Sequence, residues 1–128
     1  VSIENAIIAK IVALNTGAAS RVYREIIVQE PTLPAVAVSR TSGQGMARTL
    51  GNNPLLHRAV LRIEVVGETM AQVAPVAAAI QAGLDGWRGT QSGVVVLNSR
   101  LSQQQENADA QGDRTLRVVQ QDFEFVYR

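Results

Sequence analysis

Between residues 58 and 67 the chain alternates apolar and polar, and a few residues later that period of two gives way to a helical one. Ala59, Leu61, Ile63 and Val65 fall on one side while Arg58, Arg62 and Glu64 fall on the other, as in a strand that buries one face. Thr69 with Gln72 forms a capping box, after which Val73, Ala77, Ile80 and Leu84 recur at helical spacing until Asp85-Gly86. Pro75 falls inside this helix, where it removes one backbone hydrogen bond and is expected to bend the first turns. A half-buried strand followed at once by an amphipathic helix needs a single core into which both point.

The remaining segments fit that core. Ile3, Ile7, Ile11 and Leu14 form the stripe of a first helix, widened by Ile8 and Val12, capped by Ser2 and stopped by Asn15-Thr16-Gly17. Residues 21–28 read as a short strand or extended segment, 31–34 as a turn, and 35–41, 93–101 and 115–127 as strands. In the last of these Val119, Phe123, Phe125 and Tyr127 share one side. Residues 42–57 are rich in Gly, Asn, Ser and Pro, and residues 102–114 in Gln and Asp. Both are read as long loops, and loops of such length in a compact domain are functional or mobile. The expected architecture is α+β: one domain, 1–128, with a mostly antiparallel four- to five-stranded sheet and two helices packed on one face.

Chemistry is scarce. At 128 residues, 46% hydrophobic and 18% charged, the chain has the composition of a folded domain, and a formal net charge of +1 names neither nucleic acid nor an anionic membrane as partner. Lys10 is the only lysine, the other basic side chains being arginines spread along the chain. Without cysteine there is no disulfide, thiolate metal site or cysteine nucleophile. His57, the one histidine, has no partner at metal-ligand spacing. Asp122 and Glu124 share a strand face and read as solvent-facing, while Asp109 and Asp113 lack the spacing of a calcium loop. Gly43-Gln44-Gly45 begins like a dinucleotide motif but has Arg48 where the third glycine belongs. No apolar run approaches a membrane span, and the start lacks a secretory signal pattern, so the expectation is synthesis in the cytosol. The reading is of a non-enzymatic protein with no catalytic residues, cofactor or metal.

Taken in order, the first helix, Arg21-Val22-Tyr23, Leu33-Pro34-Ala35-Val36-Ala37-Val38, Ile63-Glu64-Val65, Ala82-Gly83-Leu84-Asp85-Gly86-Trp87 and the closing Gln121-Asp122-Phe123-Glu124-Phe125-Val126-Tyr127-Arg128 resemble phage tail-completion, or tail-terminator, proteins over nearly the whole chain. One departure is that Arg24-Glu25-Ile26-Ile27-Val28 stands where a Pro/Gly-rich turn is expected. The resemblance implies a minor tail protein of the virion, assembled in the host cytoplasm. It would form a homo-oligomeric, usually hexameric ring on the head-proximal end of the tail tube, stop tube polymerisation and present a docking surface to head–tail connector proteins. It implies no membrane partner and no sequence-specific nucleic-acid binding, although DNA would pass through the lumen. Alternatives are a head–tail neck protein and a small-molecule-binding α+β domain.

In the ring reading the two polar segments become contact surfaces. The candidate interface residues are Arg48, Asn52, Asn53, His57 and Arg58 around the first, and Arg100, Gln104, Asp109 and Arg114 around the second. Arg48, Arg58, Arg100 and Arg114 are expected to pair with carboxylates across a subunit seam.

Overall fold

The structure, a computed structural model, describes residues 2–14, 21–24, 33–48, 54–111 and 114–128. Its elements run α1 (Ile3–Ala13), β1 (Val22–Arg24), β2 (Ala35–Arg48), β3 (Pro54–Gly67), α2 (Met70–Leu84), β4 (Gly89–Gln91), β5 (Val94–Gln111) and β6 (Arg114–Tyr127). The strands form one six-stranded sheet in the order β1-β2-β3-β6-β5-β4. Every neighbouring pair is antiparallel except β1 and β2, which run parallel with Val22 opposite Val36 and Arg24 opposite Val38.

This corrects the expected four- to five-stranded, mostly antiparallel sheet: the sheet is six-stranded and mixed, curled into a half-barrel. β1 and β4 have three residues each, too few to display a period, and the direction of β1 is set by its tertiary partner. β4 arises from a two-residue hairpin in which Ser92 and Gly93 both have positive φ (51° and 84°), the backbone a type I′ turn requires.

The two expected long loops are instead the arms of hairpins. Pairing of β2 with β3 continues through Gly43–Ala59 and Gly45–His57 to Arg48–Pro54. Pairing of β5 with β6 continues from Leu101–Phe123 to Gln111–Arg114. Register shifts after Arg40, Gly45 and Ala47 in β2, and after Val96 and Leu101 in β5, accommodate residues of low strand propensity without ending the ladder.

Both helices contribute to one apolar cluster. Ile3, Ile7 and Ile11 of α1, and Val73, Val76, Ile80 and Leu84 of α2, join Val36, Val38, Ala59, Leu61, Ile63, Val65, Phe123 and Phe125 from the sheet. Ser2 caps α1 by accepting from the Asn5 amide at 3.2 Å. The stop expected at Asn15-Thr16-Gly17 lies outside the described residues. Thr69 caps α2 by accepting from the Gln72 amide (3.2 Å), while Gln72 Oε1 reaches back to the Glu68 amide (2.7 Å). α2 runs unbroken through Pro75. At its C-terminal end Gly86, with φ of 77°, turns its amide onto the Ser99 carbonyl at 2.7 Å, and Asp85 Oδ1 accepts from the Leu101 amide at 3.0 Å. Together these tie the end of α2 to β5.

The curl of the sheet is tied to α1, which contacts β1 and β2 at one edge and β4 at the other. A flat six-stranded sheet would hold its edge strands about 24 Å apart, against a length of about 16 Å for α1. At the far end of α1, the Lys10 ammonium lies 4.7 Å from the ring centroid of Trp87. Leu14 packs where α2 carries Gly83, a position at which a Cβ would meet the leucine methyls at 2.5 Å.

Gly67, at the β3–α2 junction, has no room for a side chain: a Cβ there would lie 2.5 Å from Val73 Cγ2 and 2.8 Å from Gln72 Oε1. Val73 is fully buried and cannot retreat. Gly67→Ala is expected to lower unfolding free energy by about 1–3 kcal/mol, read from urea denaturation with circular dichroism.

Candidate assembly surface

On the face of the sheet away from the helices, the central strands carry a ladder of ion pairs. Arg62 Nε donates to Asp122 Oδ1 at 3.1 Å, and Glu124 Oε2 accepts from Arg58 Nη2 at 2.7 Å and from Arg100 Nη2 at 3.4 Å. Arg62 faces Asp122 and Arg100 faces Glu124 directly in the register, so the pairs link β3, β6 and β5 across the strands. Asp122, expected to face solvent, is 8% exposed, and Glu124 is half-buried. The Arg58 hydrogen bond outweighs desolvation and, with Arg100, holds the Glu124 carboxyl below its ordinary range. The Asp122 hydrogen bond raises the pKa of Arg62.

A second charge cluster pins the start of α1. Glu4, 5% exposed, accepts from Arg40 Nε of β2 and, at 3.4 Å, from Arg24 Nη2 of β1. Burial pushes the Glu4 carboxyl up, but the backbone hydrogen bond at the helix start, together with the charge and hydrogen bond of Arg40, bring it below its ordinary value. An open depression of about 590 Å³ adjoins Glu4, Arg24, Ser39 and Arg40. Both of its arginines are engaged by Glu4, so the cluster's evident work is to fix α1 onto the β1–β2 edge.

The candidate interface residues divide between the two hairpins. Arg58 and Arg100 converge on Glu124 of their own chain, so both already have an intrachain carboxylate. His57 is half-buried and stacks on Tyr127, with ring centroids 5.3 Å apart. Gln104 is exposed on β5, and its Oε1 accepts from Gln121 Nε2 at 3.1 Å. Arg48 ends β2 opposite Pro54, Arg114 opens β6 opposite Gln111, and Asp109 of β5 is opposite Leu116. Asn52 and Asn53 lie outside the described residues. The sequence reading missed Glu4 with Arg24 and Arg40, distant in the chain and joined only by α1 crossing the sheet edge. It also missed Gln121, whose place among the inward alternating residues of β6 was the available signal. Among the described residues no His, Asp and Glu side chains group as metal ligands would, and no helix is long and apolar enough to cross a membrane.

No family model matches the chain, and no curated protein matches it. Solved structures do. A chain from the virion of a native gene transfer agent particle superposes with a TM-score of 0.61 at 16% identity, covering 98% of this chain and 94% of that one. A second solved chain gives a TM-score of 0.58 at 17% identity, covering 98% of this chain and 96% of its own. At these identities the likeness is one of fold, and it extends nearly end to end.

The two perturbed glutamates set an acid limit on stability. Each ionises below its ordinary value of 4.5, so the folded chain binds fewer protons than the unfolded chain as pH falls past that point. Their contribution is fully present above about pH 4.5 and lost as the pH drops through the folded values. Urea midpoints measured from neutral pH to about pH 3 are expected to fall over this acid range. Glu4→Gln is expected to cost about 1–3 kcal/mol at neutral pH and to flatten part of the acid slope.

Proposed function

We propose that this chain is a structural subunit of a phage-type virion, a tail-completion protein that forms a ring on the head-proximal end of the tail tube, stops tube growth and offers the surface on which the head connector docks. The observation that carries the reading is the fold likeness to a chain of the gene transfer agent virion, which spans 98% of this chain. The hairpin architecture supports it as well. From Gln104 to Gln111 the β5–β6 arm extends roughly 24 Å, and residues 103–107 are exposed. A compact domain bearing ordered arms is suited to grip copies of itself and flat neighbouring rings, and head-to-tail contacts between identical copies close into rings.

The test is tube assembly. Tail-tube protein from the same particle is polymerised with and without this chain and imaged by negative-stain electron microscopy. Tubes of bounded length with a ring at one end are the expected result. Unbounded tubes with bare ends, the protein staying in solution, would end the terminator reading. Binding only to the connector, and not to the tube, would move the assignment to a neck protein.

A further inference from the structure

Among the described residues the sheet has a long open edge at each side. β1 covers β2 only along Val36–Val38, and β4 covers β5 only along Val94–Val96. Beyond these, Ser39–Arg48 of β2 and Gln103–Gln111 of β5 have a ladder partner on one side alone among the described residues. An unpaired edge displays a row of backbone donors and acceptors, and chains that must stay apart blunt such edges with lysine, proline or an inward charge. The β5 edge, Gln-Gln-Gln-Glu-Asn-Ala-Asp-Ala-Gln, has neither lysine nor proline, and its two charges, Glu106 and Asp109, are both acidic.

We propose that in the ring the β5 edge of one subunit pairs with the β2 edge of a second copy, so that the sheet continues from subunit to subunit. This deepens the ring reading above and rests on it. The topology sets the direction: β2, β3, β6 and β5 alternate in sense, so β5 and β2 are antiparallel and meet as antiparallel neighbours when the sheet is extended. In that arrangement the short flanking strands do not obstruct. β1 of the second copy lies past the tip of the β5 arm, and β4 lies past the tip of the incoming β2 arm.

Charge selects this pairing over two copies of the same edge. The β5 arm carries Glu106 and Asp109 and no basic residue, whereas β2 carries Arg48, and Arg40 already engaged by Glu4, and no acidic residue. β5 against β5 would set acid against acid, while β5 against β2 sets acid against base. The resulting contact is head-to-tail, the kind that closes into a ring.

A small cleft between α2 and β5 lies where side chains of the added strand would fall. Ala74, Ala77, Ala78 and Gln81 of α2 face Gln104, Glu106 and Val119 across a space of about 110 Å³. Gln121 braces two of these residues: fully buried, it donates from Nε2 to the Ala77 carbonyl at 3.0 Å and to Gln104, while its Oε1 finds no donor among the described residues. A strand laid along β5 places alternate side chains against this small-residue face of α2. The incoming β2 carries Gln44 and Arg48, both donor side chains.

Because the chain contains no cysteine, disulfide trapping gives a clean test on the full protein assembled with tail-tube protein. Gln44→Cys is mixed with Gln105→Cys, Asn107→Cys or Asp109→Cys, oxidised, and analysed by non-reducing electrophoresis and mass spectrometry, alongside hydrogen exchange of the unmodified chain. The expected result is a cross-link between position 44 and at least one β5 position in the ring, with the outer β5 amides exchanging about tenfold or more slowly on assembly. Rings that form normally with no such cross-link and no added protection overturn the edge pairing and leave the ring reading standing. Cross-links between identical β5 cysteines overturn it in favour of a two-fold contact. A chain that neither forms rings nor caps tubes overturns both.

Discussion

The register between β3 and β6 is the constraint on which the rest of the molecule depends. On one face it sets Leu61 opposite Phe123 and Ala59 opposite Phe125, building the floor on which both helices pack. On the other it sets Arg62 opposite Asp122 and brings Arg58 and Arg100 onto Glu124. A slip of one residue would turn Phe123 and Phe125 to solvent and at the same time put Asp122 and Glu124 into the apolar layer. The ion pairs, with arginines 39–62% exposed, add modest energy by themselves. Their larger role is to make the wrong register costly on both faces at once.

Curvature follows from what is laid over that floor. α1 is anchored at one edge of the sheet through Glu4 to Arg24 and Arg40, and near the other through Lys10 and Leu14 against Trp87 and Gly83. A helix of eleven residues spans the two edges of a curled sheet and falls short across a flat one. Glu4 repays its burial only because both arginines and the helix start meet it, so the cluster acts as a clamp on the curled form.

The core was largely legible in the sequence. Alternation in β3 and β6, helical spacing in α1 and α2, and the Thr69–Gln72 capping box all correspond to residues that bury one face, and burial is what binary patterning records. The arms were illegible for the complementary reason. Gln103 to Asn107 bury neither face, so no alternation reports the strand, and the glycines of β2 resemble a loop until pairing with Ala59 and His57 is seen. Direction and count of strands failed likewise, since the three-residue β1 and β4 are defined by their neighbours. Composition alone placed the candidate interface residues beside these segments, and the carboxylates that engage Arg58 and Arg100 emerge only from the sheet register.

The polar character of the arms bears on how they can act. An interface built from apolar side chains would leave each free subunit with a sticky flank and favour indiscriminate association. An edge furnished with Gln, Asn and a few acids remains compatible with water, and its capacity for contact resides in backbone groups that a correctly aligned strand alone can satisfy. β6 holds β5 in that extended form beforehand, through pairing that runs to Gln111–Arg114 and through the anchoring of Val119 and Gln121 beneath α2. The ordering entropy of the arm is therefore already met within the monomer. An arm that is pre-ordered, polar and acidic along its length suits the edge-to-edge pairing proposed for it.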